Sequence, residues 1–412
     1  IASQLDYKAA LDAYQMILDN YSDDDTGTIQ AVVKQAYVAI AELWTLQGET
    51  QKAIDVYEAY LAKYPDDKGL GSFIRYENAR SNEQIFNLDK AISEYNVLVH
   101  NFGEIQDPAK PNLNILNLPL KIARLDRANS SSGHGAANYD EAYEYYNSII
   151  QKYPNSNSAF IASYHMASLY ADQQRWQDVA STYTRLINDY PDRPEIPNIL
   201  LTLANLYMDE LGRTNDAQRI FNRLLTKYPE HLIVGYVKFA QIRLYHRQGK
   251  IAASRKMLQD ILKEYAAAPS LCASAQLFLA STYEIEGQWD RALVEYKWVQ
   301  ENYPLTPQGM FVPTYIAEKY KRTGETNLEK AAYKDAISHY QDIVKKYPKT
   351  PIAGSAQEYV IYCQAAQDEL VSAVKSAENL EKIMPSSKSR INSALYLGQI
   401  YEKMGEYEKA VG

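Results

Sequence analysis

Cysteine is nearly missing from this 412-residue chain. Only Cys272 and Cys363 are present, too few for a disulfide framework or a four-ligand zinc site. They lie too far apart along the chain for a bridge to be expected. Low cysteine suits a reducing cytosol and a bacterial envelope equally. Glycine (17) and proline (16) are scarce, which excludes a collagen-like or long flexible segment. No stretch approaches 18 consecutive apolar residues, so no membrane-spanning helix is expected. Like charges never run to five, and the net charge of −8 comes from interspersed acids and bases. A basic face for nucleic acid is therefore not expected, nor a polybasic membrane-surface segment.

The motifs of catalysis are missing too. The six histidines (His100, His134, His165, His231, His246, His339) include no pair at metal-ligand spacing, and there is no Cys-x-x-Cys. No metal ion or cofactor is expected. Neither a glycine-rich phosphate loop nor Gly-x-Ser-x-Gly occurs. His134 stands between two glycines beside serines, where a nucleophile and base would not be held rigidly. An enzyme is thus the remotest reading. The acids at Asp23–Asp25 and Asp66–Asp67 fall in turns and at helix starts, where capping explains them. They lack the alternating spacing of a calcium loop.

Tyrosine is what the chain has in excess: 36, against 8 Phe and 4 Trp. The dipeptide Tyr-Pro recurs at 64, 153, 190, 228, 303 and 347. Ahead of each lies an amphipathic stretch, usually with Ala and Tyr four apart, as in Ala53/Tyr57, Ala142/Tyr146, Ala292/Tyr296 and Ala336/Tyr340. From Pro154 the markers fall at 191, 229, 266, 304, 348 and 385, a period of 37 or 38 residues with one step of 44. A second helical segment precedes each. The clearest reads Leu279-Ala280-x-x-Tyr283-x-x-x-Gly287-x-Trp289-x-x-Ala292, and Leu397-Gly398 to Ala410 repeats it.

These features predict a helix-turn-helix unit. Ala280, Gly398, Ala292 and Ala410 sit where two helices approach closely. Gly287 and Gly405 end the first helix in the left-handed conformation. Proline stops the second. One hairpin cannot bury its apolar face alone, so neighbours must stack into a solenoid. Tyr57, Tyr95, Tyr146, Tyr183, Tyr296 and Tyr340 are then core residues, not a binding surface.

The pattern resembles the tetratricopeptide repeat (TPR) over nearly the whole chain. The resemblance implies an all-α, right-handed superhelical solenoid of antiparallel helix pairs across 1–412. That comprises a half repeat at 1–22, complete repeats over about 23–390, and a half repeat at 391–412. Neither end carries a polar capping helix, so the native chain is expected to continue in both directions. Long repeats ending in Tyr-Pro-Asp/Asn also resemble bacterial envelope proteins of two types. One is the periplasmic coordinator of the Tol–Pal system; the other is the lipoprotein of the outer-membrane β-barrel assembly machine.

Three segments break the period. Residues 104–119 read as a Pro- and Asn-rich connection that is not helical. Residues 128–137 and 321–332 read as loop insertions between first and second helices, projecting from one edge of the solenoid.

The resemblance places the first helices along a concave groove. Carried over residue by residue, the groove positions are Asn205, Met208 and Asp209, then Tyr236, Phe239, Arg243, His246 and Arg247. The next two repeats supply Leu277, Ser281, Glu284 and Ile285, then Phe311, Glu318, Lys321 and Arg322. Tyr236, Arg243, His246 and Arg247 would form a basic, aromatic patch suited to a carboxylate-bearing peptide; the alternative is a solvated face balanced by acids such as Glu284. The family's clamp for a C-terminal carboxylate is not expected, because Asn205 matches one clamp position but Leu201 and Ala240 occupy others.

The expected function is a non-enzymatic scaffold binding a partner protein or peptide in that groove, within a periplasmic or outer-membrane assembly. A lipid anchor would lie outside this chain. A segment of a larger polysaccharide-export or surface-machine component is the alternative function, and a cytoplasmic setting the alternative location.

Overall fold

The computed structural model describes residues 2–23, 26–130, 139–384 and 386–411, and no β-strand occurs among them. The chain divides into two compact units, Ile1–Val234 and Gly235–Gly412. Each is a stack of helix pairs, as the repeat predicts. In the first unit α1 (Ala2–Tyr21) precedes α2 (Gly27–Leu46) with α3 (Thr50–Lys63), and α4 (Leu70–Gln84) with α5 (Leu88–Phe102). Short α6 (Leu113–Leu116) and α7 (Leu118–Ser130) then pair with α8 (Asp140–Lys152). The unit ends with α9 (Asn157–Asp172) and α10 (Trp176–Asp189), then α11 (Ile196–Asp209) and α12 (Thr214–Lys227).

The second unit opens with α13 (Val234–Arg247) and α14 (Ile251–Glu264), followed by α15 (Pro269–Ile285) and α16 (Trp289–Asn302). Then come α17 (Pro307–Thr323) with α18 (Thr326–Lys346), and α19 (Pro351–Ala366) with α20 (Leu370–Glu378) and α21 (Leu380–Ile383). α22 (Ser387–Met404) and α23 (Tyr407–Val411) close it.

One turn is used again and again between the helices of a pair. Its central residue has positive φ: Gly48, Gly249, Gly287, Gly324 and Gly405 in five pairs, but Phe86, Gln174 and Asp368 in three others. The backbone N–H of Gly287 donates to Glu284 O and that of Gln288 to Tyr283 O, which satisfies carbonyls the helix end would leave unpaired. The same two bonds recur at Phe86/Asn87 and Gly405/Glu406. The Tyr-Pro marker terminates the second helix of each pair. Tyr64, Tyr153, Tyr190, Tyr228, Tyr303 and Tyr347 are all C-caps that have left helical φ/ψ, and each still donates its N–H to the carbonyl four residues back. The following proline cannot continue the ladder.

Packing follows the small-and-aromatic pattern. Ala280 and Ala292 are fully buried together with Tyr296 in one core cluster. Tyr57, Tyr95, Tyr146, Tyr183, Tyr296 and Tyr340 are all buried, as core residues should be. Cys272 and Cys363 are buried free thiols, and burial pushes the Cys363 thiol up to about 11.

Two period breaks differ from expectation. Residues 321–332 do not form a projecting loop. α17 continues through Thr323, a single left-handed turn follows at Gly324, and α18 is already helical from Thr326. The reason is arithmetic: seven extra residues make two helical turns and keep the same face inward. Tyr333 stands after Gly324 where Tyr296 stands after Gly287. Tyr340 is carried two turns, ~10 Å, further along. There its hydroxyl meets the stretch of α17 interrupted by Pro313. It accepts Thr314 N–H (3.3 Å) and donates to Met310 O (2.5 Å). The same device, at the same spacings, joins Tyr146 to Leu120 N–H and Leu116 O beside Pro119.

The connection over 104–119 is irregular only in part. Leu113–Leu116 is helical, and Pro119 lies in the first turn of α7, where a proline has no helical N–H to lose. Of the 128–137 insertion, residues 128–130 close α7, and 131–137, His134 included, lie outside the described residues.

Candidate functional site

In the second unit successive first helices touch, α15 with α17, α17 with α19 and α19 with α22. Side chains bridge each step. Gln308 Nε2 on α17 donates to Ser274 Oγ on α15 (2.9 Å), Tyr362 on α19 donates to Glu318 on α17, and Asn392 on α22 donates to Glu358 on α19 (2.6 Å). The first helices therefore build one continuous face.

α17 supplies its centre. Phe311, Tyr315, Glu318 and Arg322 follow one another at spacings of four, three and four, which is one stripe of a helix. Phe311 is 42% exposed, its ring 5.2 Å from that of Tyr315. The Arg322 guanidinium lies 5.5 Å from the Tyr315 ring. Ile285 on α15 is 63% exposed and Tyr362 on α19 46%. The face thus carries separate apolar side chains open to solvent on three adjacent helices.

Its carboxylates are already occupied. Glu284 accepts from Tyr296 Oη (2.9 Å), Tyr315 Oη (2.6 Å) and Lys319 Nζ (2.8 Å). Burial works against its charge, but the hydrogen bonds from Lys319, Tyr315 and Tyr296 outweigh it and hold its carboxyl below the usual range. Lys319 also stands 5.3 Å over the Trp289 ring. Glu318 takes the Tyr362 hydroxyl and Glu358 the Asn392 amide. The cations are a different matter. Among the described residues, Lys321 and Arg322 are both exposed; Arg322 stands beside the Tyr315 ring, and Asp368, paired with Lys403, also feels the charge of Lys321.

The basic patch expected on α13 is differently composed. Tyr236 is well exposed, but Phe239 is half-buried against the core of Ile242, Leu258 and Leu279. The His246 ring packs 5.5 Å from Phe278, and its Nε2 is buried without a hydrogen-bond partner among the described residues. Burial, then the nearby Arg255, lowers its pKa. Arg243 and Arg247 are both engaged in interactions of their own. Asn205, on α11 of the first unit, is half-buried, and its Oδ1 has no partner among the described residues. Of the predicted residues, Glu284, Phe311 and Arg322 are linked through Tyr315, and Lys321 is an exposed neighbour on the same helix. Repeat register missed Tyr315, Lys319 and Tyr362. The four-residue aromatic spacing of Phe311 and Tyr315 was a usable signal for the first; nothing local announced the others.

Among the described residues no cluster of three or more His, Cys, Asp or Glu could hold a metal ion. No described helix is long and apolar enough to cross a membrane.

Comparison with known proteins agrees with the architecture. One family model described as Tetratricopeptide repeat matches residues 120–156, 162–193, 199–231 and 322–350. A second of the same description matches 2–68 and 239–304. Together they cover well over half of the chain. Tetratricopeptide repeat protein 1 of Schizosaccharomyces pombe is 23% identical over 236 residues, 56% of this chain and 22% of the relative. The anaphase-promoting complex subunit CDC16 of Saccharomyces cerevisiae is 26% identical over 207 residues, 49% of this chain and 22% of the relative. The matches thus span about a fifth of each relative's length. Among solved structures, a tetratricopeptide repeat protein from Parabacteroides merdae aligns with a TM-score of 0.40 at 15% identity, covering 73% of this chain and 98% of that one. Yeast Tom70 aligns at 0.41 and 13% identity, covering 99% and 87%. Helix pairing, turn and interior agree with the repeat models, and the chain belongs to the tetratricopeptide-repeat family.

Proposed function

We propose that the chain is a non-enzymatic scaffold that holds a partner protein or peptide on the groove formed by its first helices. The observation that carries this reading is the face of α15, α17 and α19. Ile285, Phe311 and Tyr362 stand open on neighbouring helices while the groups beneath them are hydrogen-bonded to one another. A prearranged face with solvent-exposed aromatic anchors needs little reordering to bind, which favours affinity. The test is Phe311→Ser with Tyr362→Ser: partner binding should weaken while the helical content and unfolding transition stay close to those of the parent. Unchanged binding by the folded variant refutes a docking role for this face.

The setting we propose is a bacterial cell envelope, with the scaffold organising a periplasmic or outer-membrane assembly. The Tyr-Pro repeat style supports it, and the scarcity of cysteine is compatible with it. Cell fractionation with the intact mass and N-terminal sequence of the native protein tests it. A membrane-fraction protein starting at a lipid-modified cysteine is the result this setting predicts; a wholly cytosolic protein refutes it.

A further inference from the structure

We propose that His165 is an acid-sensitive latch: when its imidazole gains a proton, the joint between α6 and α7 comes away from α8 and α9 in the first unit. α7 and α9 are successive first helices in contact, and His165 stands on α9 against that joint. Its Nε2 lies 2.7 Å from Oδ1 of Asn117. Asn117 caps the end of α6, and its carbonyl accepts the N–H of Lys121 in the first turn of α7. The His165 ring also stacks on Tyr146 of α8, with centroids 5.3 Å apart and planes 29° from parallel. The Tyr146 hydroxyl in turn holds Leu116 O and Leu120 N–H on either side of the joint. One imidazole therefore touches both side chains that fix it.

The surroundings suit the neutral ring. With Asn117 Oδ1 as acceptor, Nε2 carries the proton, and Nδ1 is buried without a hydrogen-bond partner among the described residues. A second proton there is a buried donor with no acceptor, on a ring that has become charged. Arg124 on α7 acts against that charge. Its ion-pair partner Asp172 (2.7 Å) lies two turns further along α9, ~10 Å from His165, and offsets only part of it. Tyr146 on α8 and Tyr164 on α9 present neutral rings, and the face of Tyr146 attracts a cation weakly. Burial is the largest influence and Arg124 the next, and they bring the imidazole from its ordinary 6.5 down to about 4. The closed arrangement is therefore favoured in full above pH 6.5, and that contribution is lost as pH falls from 6.5 towards 4. At pH 5 the opening equilibrium is displaced on the order of 30-fold from its value at pH 8.

The test is hydrogen exchange of the 412-residue chain, read by mass spectrometry at pH 8 and pH 5 and corrected for intrinsic exchange rates. Protection of the α7 amides should fall on the order of 30-fold at the lower pH, while α3, a helix of the same unit without histidine, keeps its protection. In His165→Gln the side-chain amide can still donate to Asn117 but cannot titrate, so α7 should stay protected at pH 5. No loss of protection in the parent, or an equal loss in His165→Gln, overturns the proposal. NMR of the imidazole C–H signals of the parent gives a second reading that does not depend on the variant folding. His165 should titrate with a midpoint well below 6.5; a midpoint at 6.5 or above overturns the latch.

Discussion

The hydroxyl of Tyr340 sits between Thr314 and Met310, accepting the N–H of one and donating to the carbonyl of the other, two groups that an unbroken α-helix joins directly. Pro313 disturbs the ladder at that point, and a side chain from the paired helix completes it. The site is fully buried, so removing the hydroxyl strands both backbone groups away from water. Tyr340→Phe should destabilise the chain by about 1–3 kcal/mol, and Tyr146→Phe by a similar amount through the equivalent contacts at Leu120 and Leu116. Tyr333 is the control. It is equally buried, but among the described residues its hydroxyl has no partner, so Tyr333→Phe should be neutral or slightly stabilising. Urea unfolding of the three variants checks this; equal losses at all three positions would contradict it.

The turn between paired helices gives a second prediction. Phe86 occupies the left-handed position with φ 61 and is 85% exposed. It bears the steric cost of that conformation, about 1–2 kcal/mol for a non-glycine residue, and almost no packing in return. Phe86→Gly should stabilise the first unit by roughly 0.5–1 kcal/mol after glycine's greater unfolded-state entropy is subtracted. Gly287→Ala should do the reverse in the second unit, because Gly287 has φ 73. Thermal unfolding of both variants tests the pair.

Acid sensitivity is predicted at Asp67. Its carboxylate accepts from Lys34 Nζ (2.6 Å), Tyr60 Oη (2.6 Å) and Gly69 N–H (2.9 Å). Burial raises its pKa, yet these bonds outweigh burial and bring it from its ordinary 3.8 down to about 2. A depressed carboxylate stabilises the fold above its unfolded pKa, and that contribution is lost as pH falls from about 4 towards 2. Solvent screening reduces the contribution to about 1 kcal/mol. Asp67→Asn should therefore lose about that much at pH 7 and show a flatter stability profile between pH 4 and 2 than the parent.

Helix pairs, their left-handed turns, the Tyr-Pro stops and the buried tyrosines were all legible in the sequence because each depends on residues close together in the chain. Residues 321–332 were read as a loop because the period lengthens there. Thr326–Ala332 contains good helix formers, and seven residues add whole turns, so the interruption is invisible to helix packing. Register put Phe311, Lys321 and Arg322 on one first helix, and all three are exposed on α17. What register could not supply was the pairing of charges. Glu284 is paired with Lys319 and hydrogen-bonded by tyrosines on α16 and α17, and Glu318 accepts from a tyrosine on α19; such contacts across repeats appear only once the helices are stacked.

The central claim, that a partner docks on the face of the first helices, is most directly tested with two photo-crosslinking variants. Ile285 on α15 and Val294 on α16 are nearly equally exposed, at 63% and 66%, and sit on the first and second helices of one pair. With a benzoyl-phenylalanine at each position in turn, irradiation of the native assembly should join the partner to position 285 and leave 294 unlinked. Crosslinks from 294 with none from 285 would contradict the account and move binding to the second helices.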